Sequence, residues 1–156
     1  MNYHVLKPEV AGSFGPNTIF VDRKARPPLL KKLHYEFNVW LGDPILETVC
    51  CYIVTGQVRN KIIAMQATGA SFDEVEVSTV YPFEEICRGC ILPSFTWLKV
   101  TGLGGADDFG YTSHDAFLVV YERVLDALVE AGMSHYEIAE FESWKDGKET
   151  PFLQGK

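Results

Sequence analysis

The chain has 156 residues, of which 47% are hydrophobic, 22% charged and 13% aromatic. That balance excludes general disorder, and the length suits one domain, 1–156, that buries enough surface to fold without a disulfide or metal staple. The formal net charge of −7 is unevenly placed: residues 70–150 carry 16 acids and 5 bases, whereas residues 1–69 carry 5 acids and 8 bases. An acidic half repels nucleic acid and anionic membranes and steers a basic partner towards itself.

No run of about 18 apolar residues is present, so no transmembrane helix is expected. The first residues lack the basic-then-apolar layout of a signal peptide. The four cysteines, Cys50, Cys51, Cys87 and Cys90, therefore read as reduced thiols of a cytoplasmic protein.

In chain order, residues 8–28 are punctuated by Gly12, Gly15 and Pro16, with a short strand at Ile19-Phe-Val21. Residues 33–40 alternate as in a half-buried strand, and Gly42-Asp-Pro44 turns the chain. Val49 to Thr55 reads as one continuous apolar strand. A helix follows with Val58, Ile62 and Ile63 on one face, ended by Gly69, and residues 72–78 alternate as a second strand.

The same order recurs. Ala116 to Tyr121 is an apolar strand, Val124, Leu125 and Leu128 line a helix, Gly132 stops it, and residues 136–141 alternate. Gly69 and Gly132 both suit a left-handed helix cap. The units 49–77 and 116–141 therefore predict two similar strand-helix-strand halves. Between them lie a short helix over 81–89, a strand at 95–100 and a glycine- and aspartate-rich loop over 102–114, a length that often carries function. The fold class expected is α+β: a mixed or antiparallel sheet with about three helices.

His34-x-Glu36 with Cys87-x-x-Cys90 contains the ligand types of zinc nucleobase deaminases, where the glutamate is the acid/base. Against it, Ile86 replaces the expected proline before the first cysteine, 50 residues separate the motifs, and His34 sits in strand-like alternation. A redox Cys-x-x-Cys needs a helix N-terminus, and this pair follows its helix. Gly102-Leu-Gly-Gly105 misses the dinucleotide spacing. His4, His34, His114 and His135 are scattered, and Trp40, Trp97 and Trp144 fit a core. No catalytic residue, metal or other cofactor is expected, and the deaminase-like enzyme stands as the alternative. A small-ligand module using the loop after Thr101 stands third.

Leu33-His-Tyr-Glu-Phe-Asn-Val-Trp-Leu-Gly-Asp43, Leu92-Pro-Ser-Phe-Thr-Trp-Leu-Lys-Val-Thr-Gly102, Asp107-Asp-Phe-Gly110 and the strand-helix step from Leu118 to Leu128 are similar to immunity proteins of bacterial polymorphic-toxin systems, a group typified by a myxobacterial immunity protein. The resemblance spans about residues 33–142. It departs from the group at Tyr121, where serine is usual. It implies a protein that binds and neutralises a cognate toxin and is not an enzyme. Read with the charge distribution, the partner would offer a basic surface, and neither nucleic acid nor membrane would be bound. The candidate contact residues are Asp107, Asp108 and Asp115 in and beside the loop, with Trp40 as an aromatic anchor. Asp107 and Asp108 are equally suited to capping that loop through its own backbone.

Overall fold

The computed structural model describes residues 2–141 and 153–154; Trp144 lies outside them. Among the described residues, three sheets and three helices make an α+β fold in which most strand pairs are antiparallel. One sheet runs β5 (Ile45–Thr48), β6 (Cys51–Thr55), β9 (Phe95–Val100), β7 (Ala70–Asp73). A second runs β10 (Phe109–Tyr111), β11 (Leu118–Tyr121), β1 (Tyr3–Lys7), β12 (Glu137–Glu140), β13 (Leu153–Gln154). The third is built on β4 (Leu29–Phe37), flanked on one edge by β2 (Gly12–Phe14) and β3 (Ile19–Asp22) and on the other by β8 (Val75–Thr79), which pairs with it in parallel.

The first of these sheets is sandwiched, because successive side chains of a strand point to opposite faces. Tyr52, Val54 and Leu98 face a core shared with Leu6, Leu118 and Val120 of the β1 sheet. Ile53 and Trp97 face a second core shared with Leu33, Tyr35 and Phe37 of β4. Between the first two sheets lie α1 (Gly56–Ala64) and α3 (Glu122–Glu130), which bury Val58, Ile62, Val124 and Leu128. Among the described residues no helix is long and apolar enough to cross a membrane.

The two strand-helix-strand halves are present as β6-α1-β7 and β11-α3-β12. Each is preceded by an antiparallel hairpin partner, β5 or β10, and each keeps its two strands apart so that a third fits antiparallel between them. The inserted strands are exchanged. β1, which precedes the first half in the chain, fills the slot of the second; β9, which precedes the second half, fills the slot of the first. Small parallel bridges just beyond these strands match too, Glu9 with Leu46 and Leu103 with Tyr111. The halves are thus locked by strands that neither can supply for itself.

Several sequence expectations are corrected. The apolar run 49–55 is not one strand, because Val49 and Cys50, at φ 38° and 63°, form the two-residue turn of the β5–β6 hairpin. Both central residues of such a turn need positive φ, which asparagine or glycine normally supplies. Gly69 does not cap α1. The helix ends at Ala64, and Gln66, at φ 53°, takes the left-handed position that Gly132 takes after α3. Gly69 is required for another reason: a Cβ there would lie 2.2 Å from the Phe109 carbonyl oxygen. Ile63 is exposed rather than buried with Val58 and Ile62. The strand expected over 72–78 breaks at Glu74 into β7 and β8, which join different sheets. The loop 102–114 contains β10.

Candidate functional site

The loop carboxylates have distinct surroundings. Asp107 accepts the Leu103 N–H at 2.8 Å, closing the loop on itself. Asp108 is buried just before β10 and accepts both Nε (2.9 Å) and Nη2 (2.7 Å) of Arg123, a two-pronged ion pair. It also accepts the backbone N–H of Thr68 at 2.8 Å, with the Thr68 hydroxyl at 3.3 Å. The Arg123 guanidinium, more than burial opposes it, holds the Asp108 carboxyl below its usual range. Asp115 is exposed. Trp40 is half-buried; its indole N–H donates to the Asp43 carbonyl at 3.0 Å and its ring meets Phe95 edge-on. The structure does not gather these four side chains into one interaction network.

A counterpart of Asp108 that sequence reasoning missed is Asp43, just before β5. It is only 1% exposed. Its carboxylate accepts the backbone N–H groups of Ser134 (3.1 Å) and His135 (2.8 Å), the Ser134 hydroxyl (3.2 Å) and His135 Nδ1 (2.8 Å). Behind it, the buried Glu9 carboxylate accepts the Leu41 N–H at 2.8 Å and the Asp43 N–H at 3.3 Å. Burial raises the Glu9 pKa, and the Asp43 hydrogen bond raises that of His135. The matched hairpin positions of Asp43 and Asp108 were the available signal, but only tertiary contacts show that each aspartate ties down the segment after the other half's helix.

Ligand atoms of Glu9, Asp43 and His135 lie within 4.8 Å of one another, close enough to surround a cation. The chemistry of the set favours a clamp: every carboxylate oxygen already accepts an N–H or O–H donor. It is not a nucleophilic triad either. A serine nucleophile would sit at the ring nitrogen opposite the aspartate, and Ser134 instead approaches Nδ1, at 3.2 Å, the atom that meets Asp43. His135 borders a cleft of about 650 Å³ with Lys7, Val10, Glu47, Phe117 and Glu137. Residues of the loop 102–114 do not line it.

The residues of the deaminase alternative are not assembled as a ligand set among the described residues. His34 is buried with both ring nitrogens engaged: Nδ1 accepts the Asn17 N–H at 3.1 Å and Nε2 lies 2.7 Å from the Ser78 hydroxyl. Cys87 is buried with its thiol 3.6 Å from the Trp40 carbonyl, and Cys90 is exposed. Burial pushes the Cys51 thiol up to about 12, so it is protonated and inert at neutral pH.

The segment after β8 is of another kind. α2 (Phe83–Ile86) is a single turn pinned by Phe83 and Cys87, which insert into the core against β4. Around those pins, Tyr81, Ile86 and Ile91 are 81%, 59% and 88% exposed. Glu84 and Glu85 accompany them on the surface, with Arg88 3.8 Å from Glu85. Large apolar side chains held out on a fixed backbone give a binding surface at little ordering cost. A comparison with models of known protein families matched none, and no curated protein is detectably similar to the chain.

Proposed function

We propose that this chain is a binding protein of the immunity type, which neutralises a cognate toxin by docking on it through the α2 segment. The observation that carries the reading is the exposed set Tyr81, Ile86 and Ile91, fixed by the buried Phe83 and Cys87 and flanked by Glu84 and Glu85. Tyrosine is among the side chains that dominate binding energy at protein interfaces, and an acidic border suits a basic partner. The surface lies within the acidic stretch that sequence reasoning favoured, but moves its anchor from Trp40 to Tyr81. Asp108, committed to Arg123 and Thr68, serves the fold in this reading. Asp115, exposed, stays available to a partner.

The test looks for a toxin domain encoded beside the gene, as this reading expects, and pairs it with the purified chain. The unaltered chain should bind that domain and suppress its toxicity on co-expression. Tyr81→Ala should weaken binding by about 2 kcal/mol, with unchanged thermal stability because so little of the ring is packed. Absence of binding, or equal binding by Tyr81→Ala and Ile91→Ala, sinks the proposal.

A further inference from the structure

Two of the four cysteines are held together by a turn. After α2 the chain folds back through Cys87-Arg88-Gly89-Cys90, and the Cys90 N–H donates to the Cys87 carbonyl at 3.1 Å. Gly89 sits at φ 72°, the positive φ that glycine supplies in the third place of a tight turn. Such a turn brings its first and last Cα within about 7 Å of one another. A disulfide bridges Cα atoms about 4.4–6.8 Å apart. The side chains interact as well: desolvation, and after it a hydrogen bond between the two thiols, raises the Cys90 pKa.

The two thiols differ in access. Cys90 is exposed, whereas Cys87 is buried with Phe83, Phe37 and Trp97 in the core against β4. The Cys87 sulfur meets the Trp40 carbonyl at 3.6 Å, a weak thiol contact that costs little to give up. The other pair of cysteines is placed differently. Cys50 and Cys51 are consecutive, and consecutive Cα atoms lie about 3.8 Å apart, short of the usual disulfide span. Cys51 is also buried in β6 with its thiol protonated at neutral pH.

We infer that Cys87 and Cys90 are a modification site, a dithiol that a low-molecular-weight disulfide oxidises to an intramolecular disulfide across the turn. The exposed Cys90 loses its proton, and its sulfur attacks one sulfur of the small disulfide. One small thiolate leaves, and a mixed disulfide remains on Cys90. The Cys87 sulfur, deprotonated in its turn, attacks the Cys90 sulfur and displaces the second small thiolate. The protein gives up two electrons and two protons, and the small disulfide takes both to become two thiols. No helix N-terminus lowers either thiol pKa, so the pair is a slow target of exchange rather than a catalyst of it. The new bond lies between Ile86 and Ile91, two of the side chains displayed around α2, and would fix their spacing. Its effect on toxin binding rests on the function proposed above; the disulfide itself does not.

The full chain, folded, is equilibrated with graded ratios of oxidised to reduced glutathione, quenched with a thiol-alkylating reagent and cut with trypsin. Cleavage after Arg88 separates peptides 62–88 and 89–99, each carrying one cysteine of the pair. The expected result is that mass spectrometry finds the two peptides joined, and that reduction parts them. Because the turn holds the thiols together, the join should form in the folded chain under conditions at least about tenfold more reducing than in the urea-unfolded chain. Cys87→Ser should stop at a mixed disulfide with glutathione on Cys90. Cys90→Ser should take up none on the buried Cys87. Circular dichroism checks both folds, and Cys90→Ser changes an exposed side chain, so its arm stands even where Cys87→Ser does not fold. Peptides that separate at every ratio, a join from Cys90 to the peptide of Cys50 and Cys51, or equal pairing in folded and unfolded chains overturns the inference. None of these results bears on toxin binding, which is measured separately with the toxin domain.

Discussion

Asp43 and Asp108 do the same mechanical work in the two halves with different chemistry. Each stands just before the hairpin strand of its own half and holds the segment that follows the other half's helix: Asp43 binds Ser134 and His135, and Asp108 binds Thr68. Asp43 is the more deeply buried, is backed by Glu9, and takes a titratable imidazole as its side-chain partner. Asp108 takes the permanent charge of Arg123, whose side chain remains 44% exposed. Equivalent positions therefore need not carry equivalent sensitivity. The joint made with histidine answers to pH near neutrality, and the joint made with arginine answers to acid alone.

The largest effect that separates the joints is expected from their removal. Asp43→Ala strips two backbone N–H groups and two side-chain donors of their acceptor in a buried place, and should cost about 3–5 kcal/mol of folding stability. Asp108→Ala should cost less, about 2–3 kcal/mol, because the Arg123 head can return to water. Urea unfolding of both variants against the parent measures the difference. Equal losses would show that burial does not distinguish the joints.

The next effect is their opposite pH dependence. The folded pKa of His135 is raised above 6.5 by its bond to Asp43. Its contribution is therefore complete below about pH 6.5 and is lost as pH rises through the folded value. The folded pKa of Asp108 is lowered below 3.8 by Arg123, so its contribution is present above that value and is lost as pH falls through the folded one. Stability profiles of His135→Gln and Arg123→Met should accordingly converge on the parent at opposite ends, the first in mild alkali and the second in strong acid. A His135→Gln deficit that does not change between pH 5 and 9 would remove the histidine from the joint.

The smallest effect contrasts the two hairpins. β10 and β11 are joined by residues 112–117, whereas β5 and β6 are joined by Val49 and Cys50 alone, both at positive φ. A β-branched valine is poorly suited to that region. Val49→Asn/Cys50→Gly should raise stability by about 0.5–1 kcal/mol, seen as a higher Tm. The Tyr111 hydroxyl, which donates to the Cys50 carbonyl at 2.8 Å, keeps its backbone acceptor in the variant.

Much of the local structure was legible because its cause is local. Alternation marked β4, β9 and β12, and the order strand-helix-strand was readable twice, with Gly132 placed correctly beyond α3. The aspartate-rich loop was legible as a feature but not as a role. Whether Asp107 and Asp108 face a partner or the protein's own backbone depends on Leu103, Thr68 and Arg123, and for Asp108 those partners come from other elements. The α2 surface was hidden because Tyr81, Ile86 and Ile91 look like core residues; only the insertion of Phe83 and Cys87 shows which apolar side chains are left outside. The exchange of β1 and β9 leaves no trace in the sequence pattern, since a strand that suits one slot by alternation suits the other equally. Their placement follows from pairing between distant parts of the chain, from Leu6 against Leu118 and Ile138, and from Leu98 against Tyr52 and Phe72. Periodicity thus determined which faces of these elements are apolar. Only the tertiary structure decided which elements meet, because hydrogen bonds between strands and the burial of a shared core are rewards that no short window of sequence contains.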